Sequence, residues 1–293
     1  MQIVLHVGAH FTDEDRLLKS LSKNRDNLAA RGISLPKPSS YRRQLRSLLH
    51  SLGQMPVTDQ LRDDFFAGLN DPSAEDPDRI ILSHNDFFCV PKMAVRENLL
   101  YPKAVDRLLD MCNLFHQDEI EVHFAIRNPA TFLPALVAAK KGETLEGMTR
   151  GAVPTALRWA ETIGRIRENV PAIGLTVWCN EDTPLIWEQI LRELAGVEAT
   201  VPLEGGTDLL AEIMSDEGME RFHAYVQAHE GMTEIQKRRV IAAFLDKFAL
   251  EDELEEELDL PGWSEEYVDA LTDIYDEDVY EISRMPGVNL ITP

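Results

Sequence analysis

Positive charge is scarce in this sequence. Only 29 of its 293 residues are Lys or Arg, against 51 Asp and Glu, so the formal net charge at pH 7 is -22. Nucleic acids and anionic lipid surfaces repel such a protein, because their phosphate groups carry charge of the same sign. We therefore predict that it binds neither nucleic acid nor a membrane.

Cysteines and long apolar runs are also scarce. The three cysteines, Cys89, Cys112 and Cys179, are odd in number and far apart, which predicts reduced thiols and not a disulfide framework. No apolar run approaches the roughly 18 residues that indicate a membrane span. The first residues lack the basic start and apolar centre of a secretion signal. These absences together predict a cytoplasmic protein.

Short β-rich runs alternate with longer helical patterns along the chain. The predicted strands are residues 2–7, 79–83, 121–126 and 174–178. The predicted helices are residues 15–31, 41–52, 60–69, 104–115, 130–141, 154–169, 184–195, 208–229 and 233–250, and residues 70–78 form a loop by composition. Strands separated by helices predict an α/β fold, in which a parallel sheet is flanked by helices on both faces.

The C-terminal part of the chain differs from the rest in charge. Between Glu251 and Glu281 every charged residue is Asp or Glu. We predict an α/β core over residues 1–204 and an acidic, mainly helical region over residues 205–293, packed on that core. The acidic run is typical of solvated helix faces, and it also fits a docking surface for a basic protein or a divalent cation. The oligomeric state stays open.

Polar residues follow each predicted strand, at the edge where open α/β sheets bind ligands. The first strand is followed by "GAHFT", the second by "SHND", the third by "RNP" and the fourth by "CNED". These tips contain His84, Asp86, Arg127, Glu181 and Asp182. Arg127 is a candidate for binding an anion, or for an ion pair with Asp86 or Glu181 at a neighbouring tip.

The segment "HVGAHFTDEDRLLKSLSKNRDNLAARGISLP" resembles the opening of bacterial sulfotransferase-like proteins of the P-loop fold. His6, Gly8, His10 and Thr12 fit the strand and phosphate-loop pattern of that family. Three later segments agree in order, namely "RIILSHNDF", "VHFAIRNPATFLPALVAA" and "YDEDVYEISRMPGVNLITP". The resemblance spans most of the chain, with gaps, and implies a P-loop, sulfotransferase-like α/β fold.

The resemblance also implies roles for individual residues. Gly8, His10 and Thr12 match the loop that binds the donor, 3′-phosphoadenosine 5′-phosphosulfate. His84 matches the position of the general base, and Arg127 matches the arginine that pairs with the 3′-phosphate. An active sulfotransferase with His84 as general base is therefore one reading of the chain.

The same loop departs from the family pattern. Phe11 stands where the family has lysine, and Asp13, Glu14 and Asp15 replace small or hydroxyl residues, while Ala135 replaces a serine. At about 5 Å and an effective dielectric near 20, each carboxylate–phosphate pair costs roughly 3 kcal/mol before screening. We therefore predict a degenerate phosphate loop that binds no cofactor.

The carboxylates have an alternative use as caps of the following helix. Thr12 is a suitable N-cap, and Asp15 stands three residues on, as in a capping box. The leading interpretation is a non-catalytic protein with a binding or scaffold role. A second alternative to the active transferase is a cation-binding protein that uses the carboxylates of Asp13, Asp15, Asp86 and Asp182.

Overall fold

The computed structural model of this chain describes residues 1–52, 57–69, 71, 76–229, 231–254 and 260–293. Parts of the predicted loop 70–78 and of the acidic run, residues 70, 72–75 and 255–259, lie outside the described residues. The described strands are β1 Gln2–His6, β2 Ile33–Ser34, β3 Arg79–Ser83, β4 Val95–Arg96, β5 Leu99–Leu100, β6 Glu119–Ile126, β7 Gly174–Cys179 and β8 Val288–Ile291. The described helices are α1 Arg16–Ser22, α2 Arg25–Ala29, α3 Pro38–Ser51, α4 Asp59–Leu69, α5 Ala104–Leu114, α6 Pro129–Ala138, α7 Leu145–Thr149, α8 Trp159–Asn169, α9 Thr183–Ala195, α10 Asp208–Ile213, α11 Asp216–Ala228, α12 Glu234–Phe248, α13 Glu251–Leu254 and α14 Glu265–Ser283.

Six strands form one parallel sheet in the order β2-β3-β1-β6-β7-β8. From β1, at the centre of this order, the chain first runs to β2 at one edge of the sheet. After β3 it crosses to β6, which lies on the opposite side of β1. The direction of the crossovers therefore reverses around β1, and ligands of open α/β sheets bind at such a switch point. The predicted α/β fold with a parallel sheet is confirmed.

Helices cover both faces of this sheet. Successive strand residues point to opposite faces, so each strand contributes apolar side chains to both. Ile3 and Leu5 of β1 belong to one apolar cluster, together with residues of α3–α6, α8 and α14. Val4 belongs to a second cluster, built with α1, α2 and α9–α12. The near-continuous apolar strands are thus buried on both sides, as in other parallel sheets.

Two long helices predicted from periodicity are each two helices. Residues 15–31 form α1 and α2, interrupted at Lys23 and Asn24. The side chain of Asn24 bonds the backbone of Glu204, donating to its oxygen at 2.9 Å and accepting from its nitrogen at 2.7 Å. Residues 208–229 form α10 and α11, separated where Met214 makes an antiparallel bridge with Ala249. Partners distant in sequence interrupt both helices.

The predicted helix 154–169 begins later than its periodicity suggested. Residues Pro154–Ala156 form a 3-10 turn, and α8 starts at Trp159. The buried carboxylate of Asp278, on α14, accepts the backbone N–H of Trp159 at 2.6 Å and the Nε of Arg158 at 2.5 Å. This contact ties α14 to the start of α8.

The last described strand, β8, has no counterpart among the predicted strands. It pairs with β7 along one side and places Ile291 in the core. The end of the acidic C-terminal region therefore contributes to the sheet. Across the described ranges, no helix combines the length and the apolar character needed to cross a membrane.

Candidate functional site

The loop after β1, residues 7–15, lies at the switch point of the sheet. Val7 donates to the oxygen of His123 at 3.0 Å and Ala9 to that of Ala125 at 2.8 Å, so the loop stays bonded to β6 beyond the last residue of β1. Gly8 has φ of +40°, and a Cβ there would lie 3.0 Å from the Thr12 hydroxyl. The tight path of the loop therefore requires glycine at this position.

Three non-glycine residues of this loop have left-handed backbone conformations. Phe11, Glu14 and Asp15 have φ of 63°, 51° and 66°. Each such residue costs on the order of 1 kcal/mol, which neighbouring contacts must offset. Arg127 donates to the backbone oxygen of Phe11 at 2.7 Å, and the guanidinium of Arg42, on α3, makes a bidentate ion pair with the Asp15 carboxylate. Two arginines from outside the loop therefore hold its conformation.

Asp13 is buried beneath the loop, with 4% of its surface exposed. Its Oδ1 accepts the backbone N–H of Leu17 at 2.8 Å, and its own backbone oxygen accepts the N–H of Arg16. Its Oδ2 has no hydrogen-bond partner among the described residues. Burial raises the pKa of Asp13 to about 6. The first turn of α1 thus already holds a carboxylate from its own chain.

The predicted cap formed by Thr12 and Asp15 is wrong. The Thr12 hydroxyl donates back to the Ala9 oxygen at 2.7 Å. Asp15 is the residue before α1, yet within the described part of the chain its side chain caps no helix N–H. Its carboxylate instead bonds Arg42, which lowers the pKa of Asp15. The left-handed backbone of Asp15 redirects the chain, and Asp13 becomes the carboxylate that reaches the helix.

His10 connects the loop to the segment after β3. Its Nδ1 lies 2.6 Å from the hydroxyl of Tyr101, which also accepts the His10 backbone N–H at 2.8 Å. Its Nε2 donates to the Cys89 oxygen at 2.9 Å and lies 3.3 Å from Asp86 Oδ1. Both ring nitrogens therefore have protein partners, so the His10 ring anchors the loop.

His84 follows β3 and is buried, with 6% of its surface exposed. Its Nδ1 accepts the backbone N–H of Asp86 at 3.3 Å, so a neutral ring carries its proton on Nε2. Burial, followed by the charge of Arg42, lowers the pKa of His84 to about 4. In this tautomer Nε2 already carries a proton, whereas a general base must accept a proton from its substrate.

Arg127 lies at the end of β6 and is nearly buried. Besides its bond to Phe11, its Nε donates to the Thr131 hydroxyl at 3.0 Å. Glu181, after β7, accepts the backbone N–H of Asn128 at 2.7 Å and the hydroxyl of Tyr275 at 2.9 Å. The guanidinium that the family resemblance assigns to a phosphate thus bonds the loop after β1.

The strand-tip carboxylates serve separate partners. Asp13 bonds the first turn of α1, Asp15 pairs with Arg42, and Asp86 lies 3.3 Å from both His10 and Arg46. Asp182 is half-buried before α9, where burial raises its pKa. Over the ranges that the structure describes, no three His, Cys, Asp or Glu side chains form a group able to hold a metal ion.

Sequence reasoning missed the contribution of α3 to this site. The Tyr41 hydroxyl donates to the oxygen of Ser83 at 2.8 Å and accepts its N–H at 2.9 Å, and Arg42 Nε donates to the same oxygen. The sequence feature that points to this contact is the "YRR" run in a predicted helix, because its arginines carry the charge opposite to that of the acidic loop. Its placement depends on how α3 packs on β3.

Comparisons of the chain with models of protein families, with curated proteins and with solved structures give no match. The geometry describes an α/β protein in which arginines and carboxylates of the chain itself fill the loop at the switch point of the sheet.

Proposed function

We propose that this protein is a sulfotransferase-like α/β protein that does not use 3′-phosphoadenosine 5′-phosphosulfate and has a binding or scaffold role. The observation that carries the proposal is the buried carboxylate of Asp13, which accepts the N–H of Leu17 at 2.8 Å. In a phosphate-binding loop, backbone N–H groups at the helix start bind the ligand. Here the Asp13 carboxylate, which is negatively charged like a phosphate, accepts the hydrogen bond from one of these N–H groups.

The remaining residues implied by the resemblance support the same function. Arg127 stabilises the strained residue Phe11 through its backbone oxygen. His84 presents a protonated nitrogen in its neutral tautomer, which does not suit a general base. Removal of the internal partners would leave strained backbone and a buried carboxylate unsupported, so a nucleotide would have to displace several favourable contacts to bind.

The acidic face of α14 is the surface that we propose for a partner. On this helix the buried residues Leu271, Tyr275, Asp278 and Ile282 lie on one side. Five exposed carboxylates span roughly 100° of the opposite side, namely Glu265, Glu266, Asp269, Asp273 and Asp276. Two more exposed carboxylates of α14, Glu277 and Glu281, lie beside this sector within 4 Å of Arg158. Tyr280, 62% exposed, lies within the same sector. Carboxylates beside an aromatic ring suit Lys and Arg side chains, so the proposed partner is a basic protein.

Calorimetric titration with adenosine 3′,5′-bisphosphate tests the central claim. We expect no binding heat at millimolar nucleotide for the native chain. The variant Phe11→Lys, Asp13→Gly, Glu14→Thr, Asp15→Thr should gain measurable affinity, because it removes the internal anion. Glu14→Thr alone is the matched control, since Glu14 is exposed and its removal vacates no buried position. Micromolar binding by the native chain, lost in Arg127→Ala, would overturn the proposal in favour of an active transferase.

A lysine-rich peptide of defined length tests the partner surface. Neutralising α14 with Asp269→Asn, Asp273→Asn and Asp276→Asn should weaken binding of this peptide and reduce its salt dependence. The control neutralises three exposed acidic residues elsewhere, Glu97, Asp106 and Glu146. Equal weakening in both variants would show only the effect of net charge and would contradict a specific surface on α14.

A further inference from the structure

Three buried histidines lie in or directly after the neighbouring strands β3, β1 and β6. His6 ends β1 and is in register with Ser83 of β3 and with His123 of β6, and His84 directly follows Ser83. The exposed fractions of the three histidines are 1%, 2% and 6% for His6, His123 and His84. We call these three residues the histidine layer.

The ring nitrogens of this layer have few partners. His6 Nδ1 lies 3.0 Å from the Ser83 hydroxyl. His6 Nε2, His84 Nε2 and both nitrogens of His123 have no hydrogen-bond partner within the part of the chain that the structure describes. A charged imidazolium has two N–H donors that need acceptors, and an unpaired buried charge is costly. The folded state therefore favours three neutral rings.

The charged groups around His6 and His84 do not reverse this preference. Asp15, Arg42 and the neighbouring His123 ring act on His6, while Asp15, Asp86, Arg42 and Arg46 act on His84. The two carboxylates in this set are already paired, Asp15 with Arg42 and Asp86 with Arg46. Desolvation is the largest effect on both rings, and it lowers the pKa of His6 to about 3 and that of His84 to about 4.

His123 has the same kind of surroundings on the other side of β1. Glu121 lies 3.7 Å from its Nε2, but the same carboxylate bonds Arg79 at 2.6 Å. Glu193 of α9 adds a more distant negative charge. Burial has the largest effect and lowers the pKa of His123. An arginine thus already compensates the carboxylate nearest this ring.

We propose that the histidine layer is an acid-sensitive switch, which holds the centre of the sheet folded while its rings are neutral and destabilises it when they take up protons together. The sign follows from proton binding in the two states. Below about pH 6.5 the unfolded chain protonates all three rings, whereas burial disfavours the charged form of each ring in the folded chain, so stability falls as pH falls. Asp13 acts in the opposite direction, because burial raises its pKa to about 6 and it is protonated in the folded state at lower pH. His6 and His84 together take up about two protons on unfolding, Asp13 releases up to one, and His123 adds to the uptake, so these four groups take up between about one and two protons.

Urea unfolding of the full chain between about pH 8 and pH 5 measures this uptake. We expect the unfolding equilibrium constant to rise by between about tenfold and about a hundredfold between about pH 6 and pH 5. His84→Gln and His6→Asn should each reduce that rise about tenfold, because each removes one proton from the count. The control is His223→Gln on α11, whose exposed ring meets water in both states and should leave the rise unchanged.

Proton NMR of the native chain keeps the proposal testable if a variant does not fold. The imidazole signals of His6 and His84 should not titrate between about pH 8 and pH 5.5 in the folded protein. A rise of less than tenfold per pH unit in the native chain would overturn the proposal. Titration of His6 or His84 in that range within the folded state, or an equal effect of His223→Gln, would also overturn it.

Discussion

The substitution Asp13→Asn tests whether a buried charge lies beneath the loop after β1. The Asp13 carboxylate is 4% exposed, and burial raises its pKa to about 6 from an ordinary value near 3.8. Each pKa unit corresponds to about 1.4 kcal/mol, so ionisation of this group in the folded state opposes folding by about 3 kcal/mol at neutral pH. Asparagine has the same shape and keeps an oxygen for the N–H of Leu17, without the charge.

The amide also has a cost, because its NH2 group replaces Oδ2, which has no partner among the described residues. An unpaired buried donor costs about 1–3 kcal/mol. We therefore expect Asp13→Asn to change the free energy of unfolding near pH 8 by between zero and about 2 kcal/mol in the stabilising direction.

The pH dependence of this difference is the diagnostic quantity. The amide cost is the same at every pH, whereas the native carboxyl becomes protonated as pH falls through about 6. The advantage of the variant should therefore shrink by about 1.4 kcal/mol between pH 8 and pH 5. Urea unfolding at both pH values measures it, with exposed Glu14→Gln as the control. A difference that stays constant with pH would refute the buried charge.

Two further substitutions test contacts elsewhere in the fold. Asp278→Ala removes the fully buried acceptor shared by Arg158 and the N–H of Trp159, and should lower the free energy of unfolding by about 3 kcal/mol. Glu281→Ala is the control, because Glu281 is an exposed partner of Arg158 and its removal should cost under about 0.5 kcal/mol. Similar losses for the two variants in thermal or urea unfolding would argue against the buried contact. Thr233→Ala breaks the capping box of α12 and should cost about 1 kcal/mol, and an unchanged unfolding midpoint would contradict its role as a cap.

Local pattern predicted much of the architecture. The strand predicted at residues 79–83 coincides with β3, and the strand predicted at 174–178 differs from β7 by one residue. These runs are apolar on both faces, so their burial is visible in composition alone. The two-residue strand Ile33–Ser34 and the hairpin β4–β5 were missed, because such short pairings leave no period to detect.

The candidate site was predictable only in part. The sequence located His10, His84 and Arg127 at the carboxyl edge of the sheet, since strand order along the chain identifies the strand tips. It assigned the helix cap to Thr12, because spacing alone does not reveal that Asp15 adopts a left-handed conformation. The carboxylate of Asp15 pairs instead with Arg42 of another helix.

By itself, the sequence determined the α/β class, the parallel sheet and the acidic character of the first loop. These follow from local periodicity and composition, which act between residues close together in the chain. Tertiary structure alone decided which groups satisfy that loop. Arg42 reaches Asp15 from α3, Tyr101 reaches His10 across 91 residues, and Arg127 reaches Phe11 across 116. Hydrogen bonds and ion pairs require contact distances of about 3–4 Å, and packing of the helices against the sheet brings these groups that close.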